Sequence, residues 1–177
     1  FMATRTAIGV DLGATNVVVS WVNSRGETEI LPNAEGLAST PAAVYLADDR
    51  TIIGDEALLR GRRHPERLAA HIKAELGSRW YHSTMGGVHV PPEALQACIL
   101  RQLRLDWDRK FPGSKVVTIA VPAMFNDVQR RATLEAARLA GIDVEKVLVL
   151  VYAFGGLCAA IGGVVMLGQT IIGQPGA

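Results

Sequence analysis

An excess of charge of either sign is missing from this chain. Its 18 basic and 17 acidic residues leave a net charge of +1, which removes the electrostatic case for a nucleic-acid or anionic-membrane partner. Cysteine is scarce too: Cys98 and Cys158 stand alone, far apart and without metal-ligand spacing, and read as two buried thiols in a reducing, cytoplasmic compartment. Residues Phe1 to Thr6 lack an apolar run of signal-peptide length, so export is not indicated. From Val147 to Ala177 there is neither a charged residue nor a histidine, unlike the rest of the sequence. What remains is a chain of 177 residues, 49% hydrophobic with 18 glycines, sized for one α/β domain or one domain with an inserted lobe.

The chain is organised around Ile8-Gly-Val-Asp-Leu-Gly-Ala-Thr-Asn16. An apolar run meets Asp11, then Gly13 and Thr15, and a second β-branched run begins at Val17, giving a strand, a tight turn and a returning strand. The turn supplies a carboxylate for a metal's water shell, a glycine that admits close backbone approach, and a hydroxyl for a phosphate oxygen. A hairpin with an incidental aspartate accounts equally well for these nine residues on their own.

Beyond Ser24-Arg25-Gly26 a third strand returns over Glu27 to Leu31, completing an antiparallel meander. The stretch Pro32 to Pro41 reads as an ordered loop, and Ala43 to Leu46 with Thr51 to Ile53 as a short hairpin. Asp55 is placed as the N-cap of a short helix. A second helix is expected from Pro65, on the spacing of Leu68, Ala69, Ile72 and Leu76, with Gly77 stopping it and Lys73 near its end. Residues 79 to 90 read as irregular or hairpin-like. Pro91-Pro92 opens an amphipathic helix on Leu95, Ile99, Leu103 and Trp107, followed by a strand at Val116 to Val121. Asn126 and Gln129 have capping-box spacing for a helix that Gly141 ends, and Val144 to Val151 reads as a buried strand parallel to its predecessor.

With its motifs attached, this order resembles the first lobe of the nucleotide-binding domain of the 70-kilodalton heat-shock chaperone family, within the actin-like ATPase superfamily. Ile8 to Asn16 is similar to the first phosphate loop, and Pro32-Asn-Ala-Glu-Gly36 with Thr40-Pro41 to the loop after the third strand. Ile53-Gly-Asp55, Ile72-Lys73, Val121-Pro-Ala-Met-Phe-Asn-Asp-Val-Gln-Arg130 and Ala140-Gly-Ile142 follow in register. Cytoskeletal actins and sugar kinases share an Asp-x-Gly loop but not the later stretches. The implied fold is α/β, a partial actin-like ATPase lobe of ribonuclease H-like type, with a mixed sheet and an inserted α+β subdomain. The lobe is expected over 6–148, the insertion at about 38–114, and a divergent apolar tail over 149–177.

The resemblance implies ATP or ADP with Mg2+ as ligands. Asp11 would hold the Mg2+ through water, and Gly13, Ala14, Thr15 and Asn16 would line the phosphates. Ala14 stands where the family usually has threonine, which implies altered turnover. Asp11 and Lys73 are the implied catalytic residues, Lys73 matching the family's catalytic lysine, and Pro122 and Arg130 match positions that couple nucleotide state to the interdomain linker. For Lys73, a solvated lysine near a helix end is the reading without the resemblance; for Pro122 and Arg130, a strand-end proline and a surface arginine. Unfolded client proteins and co-chaperones are implied partners in a full-length context only. Neither nucleic acid nor a membrane is an expected partner.

The resemblance stops after Val147. Val149-Leu150-Val151-Tyr152 stands where the family has Asn-Glu-Pro-Thr, and no acidic residue accompanies the glycine pairs Gly155-Gly156 and Gly162-Gly163 to make a second phosphate loop. Three readings compete for the tail: a truncated or frame-altered product, preferred because family identity ends abruptly; a membrane span; and a strand and helix packed on the sheet. The expected function is ATP binding by a chaperone fragment whose hydrolysis is impaired. The alternative is a non-catalytic interaction module, or a membrane-anchored remnant that uses the apolar tail.

Overall fold

A computed structural model of the chain describes residues 6–112 and 115–143. The chain divides into two units, Phe1–Val147 and Leu148–Ala177, and all the described residues lie in the first. The expected strand at Val144 to Val151 and the apolar tail lie outside the described residues.

The alternation of buried Ile8, Val10 and Leu12 makes β1 (Thr6–Leu12) a half-buried central strand. It pairs antiparallel with β2 (Asn16–Val22), with Asp11 opposite Val18, and β2 pairs with β3 (Thr28–Ile30) at one end. At its other end β2 takes up β4 (Thr40–Pro41), where Val17 faces Thr40. On the far side of β1 lies β8 (Lys115–Ala120), parallel to it, with Thr6 opposite Lys115 and Asp11 opposite Ala120.

Between β4 and β8 the chain builds a second sheet, in the order β6-β5-β7, from β5 (Ala43–Leu46), β6 (Thr51–Ile53) and β7 (Leu68–Ala70). The short helix α1 (Asp55–Gly61) packs on it, with Ala57 joining Ala43, Tyr45 and Ile52 in a small core. The long helix α2 (Pro92–Lys110) buries Leu95, Ile99, Leu103 and Trp107 in the principal core together with Ile8, Val10 and Leu12. Ala136, Ala137 and Ala140, on or just past α3 (Asp127–Leu139), join the same core. The meander, the hairpin and these two helices thus match their sequence patterns, and the mixed sheet with its inserted α+β element is that of a partial actin-like ATPase lobe.

Two local expectations are corrected. Gly54, not Asp55, is the N-cap of α1, and Asp55 is its first helical residue. The helix expected from Pro65 to Leu76 does not form. Its place is taken by a 3-10 turn at Pro65–Arg67, strand β7, and a second 3-10 turn at Ile72–Glu75. Pairing within the second sheet explains the difference: Leu68, Ala69 and Ala70 lie opposite Tyr45, Val44 and Ala43 of β5, so a non-local ladder outweighs the local spacing. The expected stop at Gly141 is present, with φ of 72° and its amide donating to the carbonyl of Arg138.

Candidate functional site

Because β1 and β8 run parallel, their carboxyl ends lie side by side, and the loops that follow them meet at one edge of the sheet. This is the usual position for a ligand in an open α/β sheet. The first loop is Gly13–Thr15, between the end of β1 and the start of β2. Leu12 is buried beneath it, whereas Asp11, Ala14, Thr15 and Asn16 are exposed. Gly13 is required by close packing, since a β-carbon there would sit 2.1 Å from the carbonyl oxygen of Asn16. The loop is braced on the insertion by the amide of Ala42, which donates to the carbonyl of Thr15 at 2.7 Å.

Lys73 arrives from the second 3-10 turn. Its ammonium donates to the carbonyl oxygen of Leu12, at the root of the loop, and stands 5.8 Å from the centre of the Phe125 ring. Partial burial lowers its pKa, opposed by the nearby carboxylate of Asp11. The turn is docked by a separate apolar cluster in which Leu76 meets Phe125 and Ala132, with Val121 against it. Phe125 is thus shared between the lysine and the loop after β8.

That second loop carries Pro122, whose carbonyl accepts from the amide of Phe125 at 3.0 Å in a tight turn. The capping box opens α3 as its spacing predicts: the Asn126 side chain accepts from the Gln129 amide at 2.9 Å, and the Gln129 side chain accepts from the Asn126 amide at 3.2 Å. Arg130, in the first turn, reaches back to the carbonyl of Ala123 at 3.3 Å and lies 3.4 Å from Asp127. The structure therefore brings Asp11, the Gly13–Asn16 loop and Lys73 together, with Pro122 and Arg130 on the adjoining loop and helix. Sequence reasoning missed Phe125, whose signal was only an apolar residue after Pro122, and the carbonyl of Leu12, which no side-chain pattern can reveal.

Among the described residues no group of three or more His, Cys, Asp or Glu side chains is arranged to hold a metal ion. The single exposed carboxylate of Asp11, beside the exposed residues Ala14 to Asn16, fits a hydrated divalent cation held through its water. Nor is any described helix long and apolar enough to cross a membrane.

A sheet edge of this design, with an aspartate near the end of the first strand, a small-residue loop and a lysine delivered from an insertion, is that of an actin-like ATPase lobe by fold. The Hsp70 protein family model matches residues 7–153, and the chain belongs to that family. It is 35% identical over 143 residues to the chaperone protein DnaK of Thermotoga neapolitana, covering 80% of this chain and 24% of the relative. The figures for DnaK of Thermotoga maritima are the same. DnaK of Halobacterium salinarum is 36% identical over 149 residues, covering 83% of this chain and 23% of the relative. The chain thus spans about a quarter of the length of these curated relatives. A second family model, that of a branched-chain amino acid transport system permease component, matches residues 131–177.

Proposed function

We propose that the described lobe is the phosphate-gripping half of an Hsp70-type ATPase, and that by itself it binds Mg-ATP weakly and turns it over slowly or not at all. The contact that carries this reading is the Lys73 ammonium on the Leu12 carbonyl, which holds a partly desolvated cation at the root of an exposed loop beside Asp11. A desolvated cation at that point has its strongest effect on phosphoryl oxygens arriving at the loop. The amides of Gly13 to Asn16 and the Thr15 hydroxyl would meet the phosphates, and Asp11 would hold a hydrated Mg2+, which when bound neutralises phosphate charge. Ala14 offers no hydroxyl, so its share falls to the backbone. Pro122 and Arg130, tied together through the Ala123 carbonyl, would pass the state of the loop to whatever covers it. Clients and co-chaperones belong to the full-length context, in the cytoplasm.

Titration of the chain with Mg-ATP, followed by amide NMR and by calorimetry, tests this. Shifts confined to Gly13 to Asn16 and the Lys73 turn, with affinity weaker than micromolar, are expected. Absence of shifts at millimolar nucleotide overturns the binding assignment, and micromolar affinity overturns the claim that one lobe grips weakly.

A second reading concerns the uncharged stretch from Val147 to Ala177. The permease-component match over 131–177 favours an apolar segment that associates with a membrane, giving the chain an anchor unrelated to its ATPase lobe. Fractionation decides it: recovery with membranes that is lost on removing residues 148–177 supports the anchor, and full recovery in the soluble fraction refutes it.

A further inference from the structure

Lys73 is aimed by a turn that starts from a strained residue. His71, just before the turn, has φ of 56° and ψ of 25°, and is the one described non-glycine residue in the left-handed region. A side chain there is disfavoured unless its neighbours hold it. Ile72, which follows, is anchored by burial in the principal core. Ala70, which precedes, ends β7, an outer strand of the second sheet.

The free edge of Ala70 is closed by one side chain. The amide of Ala70 donates to the Tyr81 hydroxyl at 3.1 Å, and the same hydroxyl donates to the Ala70 carbonyl at 2.9 Å. A single phenol thus stands in for a neighbouring strand. Tyr81 is itself buried, with its amide donating to the Val90 carbonyl at 2.9 Å, and burial raises its pKa, so the hydroxyl keeps the proton it needs to donate.

We propose that Tyr81 is a positioning residue for Lys73: its hydroxyl locks the end of β7, holds His71 in the left-handed conformation, and thereby keeps the ammonium on the Leu12 carbonyl. This gives a role to the stretch 79–90, to which sequence reasoning assigned none. The inference rests on the reading of Lys73 as a phosphate-site lysine, but its geometry is tested separately.

The test compares wild type, Tyr81→Phe, Lys73→Met and Val19→Ala, the last a core truncation in the main sheet that controls for general loss of stability. The first readout is the proton-exchange rate of the Lys73 ammonium, observed by lysine-selective NMR and assigned by its loss in Lys73→Met. The second is the set of amide shifts that millimolar Mg-ATP induces at Gly13 to Asn16. In Tyr81→Phe the ammonium exchange is expected to rise about tenfold, the scale of one lost hydrogen bond, with the ATP-induced shifts diminished. Val19→Ala is expected to leave the exchange rate unchanged despite a lower melting temperature. An exchange rate in Tyr81→Phe equal to wild type overturns the positioning role. Equal acceleration in Val19→Ala also overturns it, because the effect would then be one of stability. If Mg-ATP shifts nothing in the wild type, the phosphate-site reading fails while the exchange rates still decide the role of Tyr81.

Discussion

Lys73 and Leu12 are joined by an ammonium-to-carbonyl hydrogen bond across 61 positions of sequence, which ties the turn of the insertion to the end of the first strand through a charge. The contact is electrostatically awkward for folding, because partial burial disfavours the charged amine. Lys73→Met keeps much of the apolar stem and removes that charge. Its melting temperature at pH 7 is therefore expected to equal or exceed that of wild type, while the loop loses its response to Mg-ATP. A fall of several degrees in calorimetry would mean the lysine serves the fold instead.

Gly13→Ala forces a methyl group against the carbonyl of Asn16, a backbone atom that cannot swing aside. Overpacking of this kind costs about 1–3 kcal/mol. Chemical denaturation should show a loss of that size, with amide shifts centred on Ala14 and Thr15. A variant as stable as wild type, with unmoved amides, would contradict the packing described.

Asp106 on α2 has its pKa raised by burial, against the opposing effects of the Gln102 amide at 3.2 Å and of Arg109, with Glu35 adding to the rise. A carboxyl whose folded-state pKa exceeds its unfolded value favours folding while protonated, and that advantage is lost as pH rises through the folded-state value. Asp106→Asn is thus expected to melt higher than wild type at pH 7, with the difference shrinking as the pH is lowered toward 4. Thermal melts across that range check both the sign and the trend.

Asn126→Ala removes one half of the capping box and should destabilise the lobe by about 1 kcal/mol. Hydrogen exchange is expected to quicken first in the opening turn of α3, around Gln129 and Arg130. Protection there equal to wild type would show that the cap is dispensable.

The parts of the site that were legible in the sequence are those written in consecutive residues. The loop after β1 shows itself because a buried strand, a glycine and a small hydroxyl residue must be neighbours to make it, and the α3 cap because Asn126 and Gln129 are three apart. The turn around Lys73 was not legible. Leu68, Ala69, Ile72 and Leu76 fit helical spacing, yet their partners are β5, the principal core and Phe125, none of them close in sequence. The Tyr81 hydroxyl was hidden for a further reason: a backbone edge closed by a side chain leaves no periodic trace.

The parallel pairing of β1 with β8 also sets an order of events in folding. Since Thr6 lies opposite Lys115, the central strand keeps one open edge until nearly all of the described chain has been synthesised. A nascent lobe halted before β8 would present β1 as an unpaired template, so the first strand made is among the last to be protected from pairing with another chain.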